Sequence, residues 1–95
     1  MTWWVYAISF DDREISRNDL IEEIDEMPEI GNWYTCMPTV VFVVASISAS
    51  ELSKKLREKI DIERFLVLDV DTDRNGRLTK AAWKFMNDAK PYNRR

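Results

Sequence analysis

The sequence repeats one helix-start pattern, and this repeat limits the folds that the chain can adopt. Ser16 is followed three positions later by Asp19, and Ser48 is followed three positions later by Glu51. Each pair has the form of a capping box, in which the serine hydroxyl accepts a hydrogen bond from the backbone N–H three residues on. An apolar residue stands directly before each serine and another stands four residues after it, where the two can pack as a hydrophobic staple. The repeat therefore predicts two helices with matching starts.

Four segments have the composition of β-strands, and they stand on either side of the two predicted helices. They are residues 2–10, 33–37, 39–45 and 65–70. The first helix is predicted to begin near Arg17 and to end before Pro28. The second helix carries Leu52, Leu56 and Ile60 on one face. The order strand, helix, strand, strand, helix, strand corresponds to two βαβ halves.

The first and third strand segments are apolar at both sets of alternating positions, which is typical of strands buried on both faces of a sheet. In a ferredoxin-like βαββαβ sandwich these are the two central strands, so pattern and topology agree. The predicted fold class is α+β, with a four-stranded antiparallel sheet and two helices on one face. The 95 residues and their 45% apolar content suit a single domain over residues 1–95.

The composition excludes several kinds of active site. There is no histidine, which rules out Ser-His and Cys-His nucleophile pairs and the usual zinc hydrolase sites. The one cysteine, Cys36, cannot form an internal disulfide. The first twelve residues lack the charged start and the long apolar run of a signal peptide or membrane span. A cytoplasmic location without membrane association is therefore expected.

The stretch DVDTDRNGRLTK at residues 69–80 has features of both a calcium loop and a β-hairpin. A calcium loop that starts at Asp71 would carry Ala82 at its twelfth position, where a bidentate glutamate is needed, and it would follow a helix rather than a strand. The pair Asn75-Gly76 favours a tight type I′ turn instead. The sequence predicts a short fifth strand at Arg77-Leu78 and a C-terminal helix capped by Thr79, and no calcium is expected.

Charge is divided unevenly along the chain. Residues 1–73 contain sixteen acids and seven bases, whereas residues 74–95 contain one acid and seven bases. One interpretation is a basic segment that contacts the phosphates of RNA or DNA, with Arg74, Arg77, Lys80 and Lys84 as the candidate residues. The other interpretation is that these bases form a solvated helix face and chain end, which balance the acidic run at residues 22–26.

The tryptophans also have two interpretations. They could form a platform on which bases stack, or they could be core and interface residues: Trp3, Trp4, Trp33 and Trp83.

The predicted central strands carry apolar side chains on the sheet face that the first two helices leave uncovered. A monomer would expose that surface, and apolar patches beyond a few hundred Å² usually mark an interface. A homodimer with C₂ symmetry is therefore expected, with Trp3, Val5 and Leu78 at its interface. The short strand after Gly76 would cross to the other copy.

Four stretches resemble the SinR-like group of small bacterial proteins, which is related in fold to CRISPR-associated protein 2 and to the VapD-type toxins. They are WWVYAISFD, NWYTCMPTVVFV, SISASELSKKLREKI and FLVLDV with the later GRLTKAAWKFM. Together these stretches span most of the chain, and the resemblance implies the ferredoxin-like fold. The chain departs from the group at one place, since Arg77 follows Gly76 where the group usually has a tryptophan.

The resemblance also implies a catalytic residue. In the CRISPR-associated relatives, the acid that ends the first strand meets its copy across a dimer axis, where the pair can hold a divalent metal and has been linked to phosphodiester cleavage. Asp11 occupies that position, so the resemblance implies Asp11 as a catalytic and metal-binding residue with Mg²⁺ or Mn²⁺ as cofactor. The alternative is that Asp11 simply leaves the strand and solvates the loop into the first helix.

Two functions are compatible with these features. The first is a cytoplasmic SinR-like homodimer that handles nucleic acid, with weak metal-dependent endoribonuclease activity as its enzymatic form. The alternative is a non-catalytic dimeric interaction module, such as an antitoxin or a regulator. A metal-stimulated nuclease assay of an Asp11→Asn variant would separate the enzyme from both binding functions.

Overall fold

The computed structural model describes residues 2–71 and 74–88. Its strands are β1 (Trp4–Phe10), β2 (Ile30–Met37), β3 (Val40–Ala45) and β4 (Phe65–Asp69), and its helices are α1 (Arg17–Asp25), α2 (Ala49–Lys59) and α3 (Lys80–Asp88). The four strands form one antiparallel sheet in the order β2-β3-β1-β4. The fold is thus α+β, and this arrangement is compatible with the predicted sandwich. The C-terminal helix is confirmed.

Both predicted helix starts are present. The Ser16 hydroxyl accepts from the Asp19 backbone N–H at 3.1 Å, and the Ser48 hydroxyl accepts from the Glu51 N–H at 3.1 Å. The apolar residues four positions after the two serines are fully buried, and those directly before them pack against the same core. The capping boxes therefore fix where α1 and α2 begin and which face each helix turns to the sheet.

Helices α1 and α2 cover one face of the sheet. Their buried leucines and isoleucines form a core with Tyr6, Ile8 and Phe10 of β1 and with Val41 and Val43 of β3. The Tyr6 hydroxyl donates to the Ile47 carbonyl oxygen at 2.9 Å, which satisfies the one polar atom of this buried side chain. Burial raises the pKa of the Tyr6 phenol, and the nearby charge of Asp69 raises it further.

Helix α3 covers part of the opposite face. Its buried Met86 belongs to a second cluster with Val5, Ala7, Phe42 and Val44, which alternate along β1 and β3 with the residues of the first core. On β2, the ring of Tyr34 stacks on that of Phe85 with the centroids 5.6 Å apart. The sheet is therefore sandwiched, and Val5 is fully buried within a single chain.

The segment between β4 and α3 differs from the prediction. Residues 74–79 have no regular secondary structure, so the fifth strand at Arg77-Leu78 is not formed. Gly76 has a φ of +152°, but Asn75 does not have a positive φ, and a type I′ turn needs both. The preceding Arg74 holds this segment to the last helix, because its guanidinium donates to the Val70 and Asp71 carbonyl oxygens and also to the Asn87 Oδ1 of α3.

The start of helix α3 can also be compared with the prediction. Helix α3 starts as predicted, because the Thr79 hydroxyl accepts from the Ala82 N–H at 3.1 Å. Among residues 2–71 and 74–88, no helix is both long enough and apolar enough to cross a membrane. Asp73 of the 69–80 stretch and the C-terminal bases Lys90, Arg94 and Arg95 lie outside the described residues.

Candidate functional site

Asp11 follows β1 directly and is paired with a neighbouring arginine. Its backbone N–H donates to the Arg64 carbonyl oxygen at 3.3 Å, which extends the β1–β4 ladder by one residue. Its Oδ1 accepts from the Arg13 N–H and from the Arg13 Nε, both at 3.0 Å, and its Oδ2 accepts from the Arg13 Nη2 at 2.8 Å. These hydrogen bonds lower the pKa of Asp11 to about 2. The Asp11 side chain is 13% exposed, whereas that of Arg13 is 82% exposed.

The surroundings of Asp11 are ordered by a second acid. The two carboxylate oxygens of Glu14 accept from the backbone N–H groups of Glu63 at 2.7 Å and Arg64 at 3.0 Å. This ties the loop after β1 to the segment before β4. Glu14 is therefore used in holding the loop, and it is not placed as a ligand beside Asp11.

The loop offers few free oxygen ligands for a divalent metal within one chain. In the described part of the chain, no three carboxylate or cysteine side chains are grouped to hold a metal ion. Both Asp11 oxygens are also engaged by the Arg13 guanidinium. A metal at Asp11 would therefore have to compete with Arg13 for the carboxylate.

The four candidate basic residues fall into two groups. Arg74 is a structural residue, because its guanidinium donates to the Val70 and Asp71 carbonyls and also, at 2.8 Å, to the Asn87 Oδ1 of α3. Arg77 and Lys80 are exposed. Lys84 is exposed as well and pairs with Asp88 one helical turn later at 3.1 Å, an arrangement that is open to solvent.

The four tryptophans are partly buried, two on each side of the sheet. Trp4 and Trp33 pack against the α1–α2 core, and the Trp33 indole N–H donates to the Asp25 Oδ1 at 3.2 Å. Trp3 and Trp83 pack against the α3 cluster. The Trp3 ring lies so close to the Gly31 backbone that an added Cβ would stand 2.8 Å from it. These contacts favour core packing for Trp3, Trp4 and Trp33, whereas Trp83 also lines a cavity.

That cavity was not anticipated from the sequence. It has a volume of about 210 Å³ and lies between the 74–78 segment, α3 and the sheet. It is lined by Met37, Phe42, Val70, Arg74, Asn75, Gly76, Arg77, Leu78, Trp83 and Met86. No local signal could have revealed it, because these residues come from β2, β3 and α3 and from the irregular segment before that helix.

The residues expected at a dimer interface lie in the α3 cluster. Trp3 and Leu78 are half-buried against it, and Val5 is fully buried in it. Helix α3 thus covers in the single chain much of the surface from which a dimer was inferred. Among the described residues, the exposed large apolar side chains are instead Leu66, 56% exposed, and Leu68, 44% exposed, both on the edge strand β4.

The two leucines lie on the α3 side of the sheet. Leu66 is opposite Ser9 and Leu68 is opposite Ala7 in the β1–β4 register, and opposite residues of an antiparallel pair share a face. Ala7 belongs to the α3 cluster, so the leucines continue that face beyond the helix.

Comparison of the chain with protein-family models, with curated proteins and with solved structures finds no match in any of the three.

Proposed function

We propose that this chain is a ferredoxin-like homodimer that binds single-stranded nucleic acid, RNA in particular, through a basic surface formed by Arg77, Lys80 and Lys84 beside Trp83. The observation that carries the proposal is that three exposed cations stand within six residues of the half-buried Trp83, on α3 and on the segment that leads into it. Cations for phosphates and an aromatic ring for bases are the two components that sequence-tolerant single-strand binding uses.

The acidic run of α1 lies on the side of the sheet opposite to the proposed basic surface. The exposed acids of α1 and its end lie on the side away from α3: Asp19, Glu22, Asp25 and Glu26. The net charge of -3 would repel nucleic acid on average, but at physiological salt the Debye length is about 8 Å, so the phosphates respond mainly to the nearest side chains. The basic surface can therefore bind an anion that the rest of the chain repels.

The strand order supports the ferredoxin-like assignment. The first and third strands are the inner pair in the order β2-β3-β1-β4, and α1 and α2 share one face. In this arrangement α3 is an addition on the other face. The basic surface belongs to that addition and to the segment that leads into it.

The proposed dimer uses the open edge of β4. The Val70 N–H donates to the Val5 carbonyl and the Asp11 N–H donates to the Arg64 carbonyl, so even-numbered residues of β4 direct their backbone groups towards β1. In an antiparallel ladder these pairs alternate, which leaves the N–H and C=O groups of residues 65, 67 and 69 directed outwards. An unprotected edge of this kind is a template for another strand.

A second copy of β4 is complementary to that edge. A two-fold axis beside Val67 would pair β4 with itself and would place Leu66 opposite Leu68 of the partner subunit, twice over. Four leucines would then cover one another on the α3 side. This is the dimer that we propose in place of one formed by Trp3, Val5 and Leu78.

A non-catalytic interaction module, such as an antitoxin or regulator, is the second candidate. It is favoured by the same β4 edge, because an extended segment of another protein could occupy it. The enzymatic form of the first candidate, a metal-dependent ribonuclease, needs paired Asp11 residues freed from Arg13. It is tested by RNA cleavage with Mg²⁺ or Mn²⁺ in the wild type and in Asp11→Asn.

The binding proposal is tested with two matched double variants. Arg77→Gln with Lys80→Gln removes one arginine and one lysine from the basic surface, and Arg57→Gln with Lys54→Gln removes the same pair from exposed positions of α2. Fluorescence anisotropy with a short labelled RNA at low salt measures the affinity. The first variant is expected to bind about ten-fold or more weakly, and the α2 variant should bind as the wild type does. Equal affinities in the two variants would refute the proposed surface.

A further inference from the structure

The cavity beside the basic surface has walls of two kinds. Its apolar walls include the buried Phe42 and Met86 and the half-buried Trp83, and Met37, Val70 and Leu78 complete them. Its polar rim is made by Arg74, Asn75 and Arg77. Aromatic rings and methionine sulfur atoms are favourable contacts for a flat π-system.

The rim is partly fixed and partly free. Arg74 is held in place by its hydrogen bonds to Val70, Asp71 and Asn87, so its guanidinium forms a fixed wall. The Asn75 carbonyl oxygen Oδ1 accepts from the Gly76 N–H at 2.8 Å, which leaves the two N–H bonds of the amide as donors. Arg77 is exposed at the opening. Arg74 and Asn75 can donate to the edge of a ring inside the cavity, and Arg77 can pair with an anion just outside the cavity.

We infer that this cavity receives one nucleobase of a single-stranded nucleic acid, with the adjoining phosphate held by Arg77. The inference rests on the proposed function and specifies its base-binding site. Two features select a nucleotide as occupant. The volume of about 210 Å³ is below the usual range for drug-sized ligands, so it suits one flat group rather than a larger molecule. The two arginines of the rim, together with the exposed Lys80 and Lys84 of the adjoining helix, favour a group that is attached to a polyanion.

The geometry also explains why base binding would tolerate different sequences. The apolar walls contact the face of a ring, which every base has, and the edge donors come from only one arginine and one amide. Stacking of this type contributes affinity without strong selection among bases. The site would therefore distinguish a base from no base much better than one base from another.

The first experiment compares a short oligouridylate with an oligomer of the same backbone and charge that has no bases. The wild type should bind the oligouridylate at least about five-fold more tightly, as expected for one stacked base. Equal binding of the two oligomers would overturn the pocket and leave the proposed RNA binding intact. No binding of either oligomer would instead refute the proposed function and, with it, the inferred base-binding site.

A matched pair of variants locates the base. Arg77→Trp places a large ring at a position that lines the cavity, and Lys80→Trp makes the same change at a neighbouring cation that does not line it. Both lose one charge, but only Arg77→Trp should lose the preference for the base-containing oligomer. Loss of the preference in both variants, or in neither, would show that the base lies elsewhere.

Methionine methyl NMR of the wild type gives a second readout that does not depend on any variant. The methyl resonances of Met37 and Met86, which line the cavity, should shift with oligouridylate and not with the abasic oligomer. Met27 lies in the α1–α2 core and serves as the internal control. Benzoate, a small aromatic anion, is titrated separately as a comparison. Shifts of these resonances with benzoate but not with RNA would indicate a small-molecule site and would overturn the inference.

Discussion

Replacement of Met86 by alanine tests whether α3 closes one face of the sheet. Met86 is 3% exposed and clusters with Val5, Ala7, Phe42 and Val44. Truncation removes buried apolar surface and leaves a hole, and Met→Ala changes at such sites cost about 2–5 kcal/mol. A value of about 2–3 kcal/mol is expected, because the site borders a cavity and lies on the last helix, where neighbours can partly collapse.

The assay is urea unfolding of Met86→Ala beside Lys84→Ala, a control on the exposed side of the same helix. The control should change the free energy of unfolding by less than about 0.5 kcal/mol. Each variant is compared with the wild type at two matched protein concentrations, because a face closed by a second copy would make the difference in the free energy of unfolding depend on concentration. A loss for Met86→Ala as small as that of the control would refute the packing of α3.

Three further changes give distinct outcomes. Gly31→Ala should cost about 1 kcal/mol and alter the near-ultraviolet circular dichroism of Trp3, because the new Cβ would stand 2.8 Å from its ring; an unchanged spectrum would contradict this. The pKa of Asp11 is lowered to about 2, so the carboxylate contributes stability above its ordinary value of 3.8 and loses it as the pH falls from there towards about 2. Arg13→Ala should return the pKa of Asp11 towards the ordinary value in a carboxyl carbon NMR titration, and an unmoved titration would mean that Arg13 is not the cause. Leu68→Lys should convert the proposed dimer to a folded monomer in sedimentation equilibrium, since this side chain is already 44% exposed in one chain; a dimer that persists in the variant would exclude the β4 edge.

Features set by near neighbours in sequence were predictable. The two capping boxes depend on a serine and a backbone N–H three residues apart, and both hydrogen bonds are present. The two central strands were identified because a strand buried on both faces must be apolar at consecutive positions, as in Val41 to Val44. Local chemistry is sufficient in both cases.

The path from β4 to α3 was not predictable in the same way. Asn75-Gly76 is a strong local signal for a hairpin, but the competing interaction is a hydrogen bond from Arg74 to Asn87, thirteen residues later. Packing of α3 on the sheet then decides the path, and no short window contains that information. The cavity is a consequence of this path.

The exposure of β4 was missed for a related reason. The predicted topology already placed this strand at an edge of the sheet, but the apolar run from Phe65 to Leu68 did not show that Leu66 and Leu68 would stand beyond the cluster of α3. The amino-acid composition shows that a segment is apolar, but it does not show which other elements cover its side chains. The pairing of Asp11 with Arg13 was within reach, since the two are close in sequence, but their charges alone do not give a bidentate geometry.

The salt dependence of RNA binding tests the basic surface most directly. If Arg77, Lys80 and Lys84 each contact one phosphate of a single strand, the logarithm of the association constant should fall with the logarithm of salt concentration with a slope of about -2, or ~0.7 per contact. Removing Arg77 and Lys80 together should reduce that slope by about two thirds. An affinity for single-stranded RNA that does not change with salt, or a slope that the double variant leaves unchanged, would contradict the proposed function.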